Sequence, residues 1–422
     1  MYNVSMTSKP ELLSPAGDLE KLETAVRFGA DAVYVGAGPY SLRAEPTSFR
    51  LTELRQGIAF AHKHKVKVYL AINIFAFDED LAKMLGYLKA ATKAGIDAAI
   101  ISDPGFISIV RRKLPKLKLY LSTQANTLNS EAVKFWHKQG ISRIVLGREV
   151  SLEQVKKIKK SNPKVELELF VHGAMCISYA GRCLLSKHMT DRSANRGECT
   201  QPCRWEYHLK EVTRPDEEFR IEQDKRSTYI LNSKDLCLVD HIPELIKAGV
   251  DSFKIEGRMK SVYYAALTTK IYREAIDVSP KRDPNWKIEL AKTSHRQFTT
   301  GFYLGEDERE SIEQGGNVRT YTFVGAHAVP AGKQVATPLR GGSQRLRASA
   351  TSFEVAVRNQ IKLGDKLDII DPNKKEIISF KVKSIKDKDG QNLDQAHNGA
   401  RVWLESDLEQ LPAEFSLLRR KI

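Results

Sequence analysis

The strongest chemical signal in the chain is a group of cysteines. Cys176, Cys183, Cys199 and Cys203 are separated by six, fifteen and three residues, Cys237 stands apart in LNSKDLCLVD, and no other cysteine occurs. Four thiolates can hold a cubane iron–sulfur cluster or a tetrahedral zinc ion. Zinc ribbons present close CxxC pairs, which are missing here, so zinc is the weaker of the two readings. A third reading, buried structural thiols, fits poorly with a polar tract that contains Gly173, Gly181 and Gly197. Arg182 and Arg204 flank the group and suit an anionic, thiolate-rich centre, or simply a solvated loop face. Cys237 reads as a core residue in a helix, with a reserve role as ligand.

A second set of polar residues stands at the ends of β-rich runs. It comprises Tyr34, Asn73, Asp103, Gln124, Arg148, Glu149, His172, Glu256 and Arg258. Arg148 and Arg258 suit carboxylates, because a guanidinium can bond both oxygens at once. His172 and Glu256 are candidate proton carriers, with Gln124 and Glu149 beside the substrate. The competing reading is that these groups close one end of the fold through mutual salt bridges. Trp205 and Tyr207 are candidates for stacking on an unpaired base, or for packing under the cysteine loop. No HExxH and no GxSxG occurs. A peptidase would have to use a pair such as Cys176 and His172, and a cysteine committed to a cluster cannot also attack a peptide bond.

The elements that must position these residues follow a repeated phrase. FGADAVYVG (28–36), AGIDAAIISDPG (94–105), QGISRIVLGRE (139–149) and AGVDSFKIEGR (248–258) each join a glycine-terminated helix to a buried strand. Strands are expected over 11–14, 32–36, 66–73, 98–102, 117–124, 143–148, 165–172 and 252–256. Helical periodicity lies between them at 19–28, 51–63, 80–94, 130–138 and 152–160, with Ser130 and Ser151 as N-caps. Eight βα units predict an α/β fold, a TIM-like (β/α)8 barrel over 1–277. A doubly wound sheet is the alternative, disfavoured because no GxGxxG turn follows the first strand. The cysteine-bearing insertion, 173–231, would then lie at the C-terminal ends of the strands, where barrel enzymes keep their active sites. A helical arm at 262–276 leads into a linker and helical segment at 278–319. From 320 to 422 short alternating runs separated by turn signals predict a small C-terminal all-β, barrel-like domain. Its stretch 331–352 carries Lys333, Arg340, Arg345 and Arg347, as an RNA-facing loop or a solvated hairpin.

The chain has 422 residues, with 67 Lys and Arg against 52 Asp and Glu and a net charge of +15. That excess points to a polyanionic partner or to a merely basic soluble enzyme. Apolar runs such as 98–102 are far too short to span a bilayer, and no signal-peptide pattern opens the chain, so the expectation is a cytoplasmic protein without a membrane partner. Five cysteines in a reducing compartment argue against a disulfide framework.

Five segments carry a family resemblance: ELLSPAGDLEKLETAVRFGADAVYVG (11–36), ELFVHGAMCISYAGRCLLS (168–186), GECTQPCRWEY (197–207), YILNSKDL (229–236) and SFKIEGRMKS (252–261). The chain resembles the collagenase-like peptidase family of unassigned catalytic type, closest to its branch of prephenate-dependent tRNA hydroxylation proteins. The resemblance implies that Cys176, Cys183, Cys199 and Cys203 ligate a [4Fe–4S] cluster. It implies oxygen-independent hydroxylation of the wobble uridine of tRNA, with prephenate as the dicarboxylate co-substrate. Related branches act on ribosomal RNA or a quinone precursor, and the older family name implies peptide hydrolysis. A non-catalytic RNA-binding factor is a further alternative allowed by charge. The segment from Cys203 to Tyr229 is short where relatives carry a longer insertion.

Overall fold

The computed structural model describes residues 9–42, 49–176, 178–179, 182–205, 234–305, 318–327 and 352–422. Gly181, Tyr207 and the basic stretch 331–351 therefore lie outside the described residues.

Parallel strands β1 (Glu11–Pro15), β2 (Ala32–Gly36), β3 (Lys67–Ile72), β4 (Ala98–Ile101), β5 (Lys118–Leu121), β6 (Arg143–Val145) and β7 (Glu166–Ala174) pair in chain order. The eighth, β9 (Ser252–Ile255), pairs with both β7 and β1 and closes the barrel. These are the eight strands the sequence leads one to expect. The intervening helices are α1 (Leu19–Arg27), α2 (Leu51–Lys63), α3 (Asp78–Ala94), α4 (Pro104–Lys113), α5 (Ser130–Lys138) and α6 (Leu152–Ser161). Ser151 caps α6 by accepting from Gln154 N, but α5 is capped by Asn129, one residue before the expected Ser130.

The repeated phrase has a physical basis. Gly29, Gly95, Gly140 and Gly249 all take positive φ at the turn out of a helix. Two residues later the carboxylates of Asp31, Asp97 and Asp251 accept from Leu12 N, Val68 N and Leu167 N at 2.7–2.8 Å, tying each new strand to its neighbour. In the third copy Ser142 donates instead to Leu119 O.

Two short strands depart from expectation. β8 (Asp235–Cys237) runs antiparallel to β7, and β10 (Phe298–Thr299) pairs with β8. Cys237 thus sits in a strand, not a helix. Between them come α8 (Ile242–Lys247), α9 (Val262–Val278) and α10 (Asn285–Leu290), the first two flanking β9. The stretch expected to be a linker and helical segment contains α10 and β10, and its residues up to Val318 belong to the barrel unit, Met1–Val318. After β7 the described part of the insertion contains one α-helix, α7 (Leu185–Thr190), and two single 3-10 turns, Ala194–Arg196 and Pro202–Arg204.

The second unit, Arg319–Ile422, is all-β. Its seven-stranded antiparallel sheet has the order β15 (Ile378–Lys381), β14 (Lys366–Ile370), β19 (Leu417–Lys421), β11 (Tyr321–His327), β12 (Ser352–Val357), β18 (Arg401–Glu405), β16 (Ser384–Lys386). The two edge strands are consecutive in the chain, so the sheet curls towards a half-barrel. β13 (Ile361–Lys362) and β17 (Gln395–Ala396) form a separate pair. One apolar core, including Val324, Phe353, Leu367, Phe380, Leu404 and Leu418, fills this unit.

Candidate active site

The barrel interior is apolar in its middle layers, with Leu13, Ala32, Ala71, Ala98 and Ile100, but a chain of ionic contacts runs through it. Glu11 and Glu168 both meet Arg143, at 2.5 and 3.3 Å, and Glu168 also meets Lys254 at 2.8 Å. Burial pushes the Glu11 carboxyl up, yet the Arg143 charge and hydrogen bond outweigh it and hold the pKa below the usual value. Lys254 lies 4.6 Å from the centre of the Tyr34 ring and marks the floor of a cavity.

That cavity, ≈ 550 Å³, opens at the C-terminal ends of the strands and has the size of a small-molecule site. Gln124, Arg148, Glu149, Glu256, Arg258 and Cys176 all line it, as do Tyr34 and Asn73. Arg148 packs 4.1 Å from the centre of the Phe170 ring and stands 3.8 Å from Glu256. Its Nη1 donates to Ala174 O at 2.5 Å. Arg148 Nε and Gln124 Oε1 are buried without hydrogen-bond partners among the described residues. Arg258 donates to Ser41 Oγ at 2.8 Å and to Leu42 O, so it also clamps the β2 loop. Gly36 makes that possible, since a Cβ there would lie 2.3 Å from Arg258 Nη1. With Arg182 and Lys254, the wall carries four cationic side chains against the two carboxylates of Glu149 and Glu256.

Two expected residues lie elsewhere. Asp103 does not line the cavity; its carboxylate caps α4 by accepting from Phe106 N. His172 is 1 % exposed and packs among Tyr264, Tyr272 and Phe298. Burial drives its pKa down to about 3, so the expected proton exchange near neutral pH does not fit its surroundings.

Cys176 enters the cavity wall because the chain before it is held at two consecutive carbonyls. Arg148 takes Ala174 O, and Arg296 Nη2 takes Met175 O at 3.3 Å. Arg296 is itself fixed by Asp235, through Nε at 3.0 Å and Nη2 at 2.8 Å. Burial pushes the Asp235 carboxyl up, but the charges of Arg296 and Lys260 prevail and hold it low. Gly173 adopts φ +103, and a Cβ there would meet Glu256 O at 2.5 Å, so the tips of β7 and β9 can abut only with glycine.

Cys176 and Cys199 are exposed, Cys183 and Cys203 are half-buried, and none is in a disulfide. Among the described residues no three His, Cys, Asp or Glu side chains are gathered tightly enough for one metal ion. A tetrahedral zinc would draw its sulfurs to about 3.8 Å of each other, from Zn–S bonds of roughly 2.3 Å. A cubane would spread its thiolates over four separate irons, farther apart, and four cysteines in one loop are the donor set it would take. Cys237 does not share this loop. It is buried 4.0 Å from Tyr272 Oη, and burial pushes its thiol up to about 11.

A model of peptidase family U32 matches residues 17–313, and a model of that family's C-terminal domain matches 344–419. The chain belongs to peptidase family U32. A Bacillus subtilis relative named tRNA hydroxylation protein P1 is 37% identical over 94% of this chain and 92% of its own. An Escherichia coli relative named tRNA hydroxylation protein P is 36% identical over 98% of this chain and 97% of its own. A Porphyromonas gingivalis relative named collagenase is 32% identical over 93% of each chain.

Several cavity residues of this U32 member escape sequence reasoning. Lys254 had a readable signal, a lysine inside the buried run SFKI. Phe302, Ser122 and Thr123 had none, because they reach the cavity from turns outside the repeated phrase.

Proposed function

We propose that this chain hydroxylates the wobble uridine of tRNA with prephenate as co-substrate and with a [4Fe–4S] cluster on Cys176, Cys183, Cys199 and Cys203. The observation that carries the reading is its near full-length similarity to relatives named tRNA hydroxylation proteins. The cavity supports it, since four cations surround a volume fit for a dicarboxylate and a base beside Cys176.

Arg148 and Arg258 orient the carboxylates, and the partnerless Arg148 Nε is the donor kept for them. Lys254, anchored on Glu168, supplies positive charge from the floor. Gln124 and Glu149 face the substrate from the tips of β5 and β6. Glu256, 3.8 Å from Arg148, receives the proton lost from the ring. His172 is left out of this transfer, because burial keeps it neutral and it does not reach the cavity. When bound, the cluster supplies one-electron chemistry that side chains lack.

The test is mass spectrometry of tRNA nucleosides from a deletion strain complemented with wild type, Cys176→Ala or Glu256→Gln, with and without chorismate-pathway supply. Hydroxylated uridine should vanish with Cys176→Ala and without the supply, and fall on the order of 100-fold with Glu256→Gln. Full hydroxylation with Cys176→Ala removes the cluster from the mechanism. Colourless anaerobic protein with stoichiometric zinc removes it as well. The similarity to a relative named collagenase keeps one rival in view: gelatin cleavage by pure protein that survives Cys176→Ala would favour hydrolysis.

A further inference from the structure

Exposed aromatic rings are unevenly distributed over the barrel unit. Among the described residues four large aromatic side chains are exposed: Phe77 at 59%, Phe135 at 54%, Tyr179 at 53% and Trp205 at 41%. Scattered single exposures need no explanation. Three of these four, however, belong to loops at the cavity end of the barrel, between β3 and α3 and in the cysteine-bearing insertion.

These loops are tied into one surface. Phe75 N donates to Asn195 O at 3.2 Å, and Arg196 bonds Asp80 at 2.9 Å while its guanidinium lies 4.9 Å from the centre of the Phe77 ring. Arg182 stands 5.2 Å from the centre of the Phe75 ring, and its backbone N–H bonds Tyr179 O. Tyr179 and Arg182 both reach the rim of the cavity. Trp205 follows the 202–204 turn, which packs against α7 in the same insertion. The insertion itself is basic: its described residues include Arg182, Lys187, Arg192 and Arg196 against Asp191 and Glu198, while Asp78, Glu79 and Asp80 beside Phe77 are acidic.

We propose that this surface is a stacking platform for unpaired RNA bases flanking the one that enters the cavity, with Phe77, Tyr179 and Trp205 as its rings. The proposal rests on the hydroxylation reading and says where the RNA lies. Rings left in water beside arginines match what single-stranded nucleic acid offers, a π-face on every base and a phosphate between them. A duplex offers the phosphates but no free π-face, because its bases are already stacked on one another. Arg196, held by Asp80 against Phe77, braces that ring, while the exposed Arg182 and Arg192 supply charge for phosphates. A ring wall at the rim also takes up the unstacking cost of a base turned out of its loop into the cavity.

The experiment measures binding of the full chain to a fluorescent RNA hairpin with an unpaired loop and to a blunt duplex of equal length. Phe77→Ala and Tyr179→Ala should each weaken hairpin binding roughly tenfold while leaving duplex binding unchanged. Phe77→Trp should restore it, and Phe135→Ala, on α5, should behave as wild type. Hairpin binding unchanged in both alanine variants overturns the platform while leaving the hydroxylation reading standing. Loss of hairpin and duplex binding alike in those variants overturns it too, because stacking then is not what was removed. A wild-type chain that binds neither RNA, or releases the hairpin to denatured collagen, overturns the platform and the RNA reading together.

Discussion

His172 and Cys237 face each other across the β7–β8 ladder, and both are silent by burial. From the sequence His172 is a proton carrier beside a cysteine loop. In the fold its Nδ1 lies 3.4 Å from Tyr272 Oη inside an aromatic cage. Its folded pKa, about 3, lies below that of an unfolded imidazole, so the folded state binds fewer protons in acid. The stability contributed by this neutral ring is fully present above roughly pH 6.5 and is lost as pH falls towards 3. By about pH 5 the loss comes to about 2 kcal/mol. Between about pH 7 and 5 the His172→Gln variant should therefore show a flatter dependence of unfolding free energy on pH than wild type. Parallel curves in a denaturant titration would assign the acid sensitivity to other groups. The Arg296–Asp235 pair was invisible in the sequence for a different reason. Its members lie far apart in the chain, and Arg296 falls in the stretch expected to be a linker and helical segment.

The repeated Gly-x-Asp phrase made most elements legible. It couples a local need, the positive φ that ends a helix, to a fixed cap on the neighbouring strand. β8 and β10 escaped because three and two residues carry no periodicity. Nor could periodicity reveal that β1, β6, β7 and β9 feed charged side chains into one buried chain of contacts. Arg143 bridges Glu11 and Glu168 there, and Glu168 is 0% exposed. Arg143→Ala leaves each of those carboxylates in the barrel with one of its two cationic partners, Lys67 for Glu11 and Lys254 for Glu168. It should cost about 3–5 kcal/mol of stability in chemical denaturation. A loss within the range of ordinary surface substitutions would mean that the carboxylates find other partners or take up protons.

At the scale of the whole molecule the chain divides into two compact units, Met1–Val318 and Arg319–Ile422. Among the described residues, the apolar core cluster of the second is built of residues from Val324 to Leu418. Residues 319–422 expressed alone should therefore melt cooperatively in circular dichroism; a featureless melt would show that this core needs the rest of the chain. Among the described residues no helix is long and apolar enough to cross a membrane. The sequence by itself determined the eight strands, the grouping of four cysteines after the seventh and the family resemblance, because each is written in short-range spacing or in contiguous motifs. Only the tertiary structure decided which polar tips share the cavity. Gln124, Arg148 and Glu256 meet there, and His172 and Asp103 do not, because closure of β9 between β7 and β1 sets the rotation of every strand about the barrel. That closure is a long-range pairing, and local sequence does not encode the direction in which a strand's last side chain points once the ring is shut.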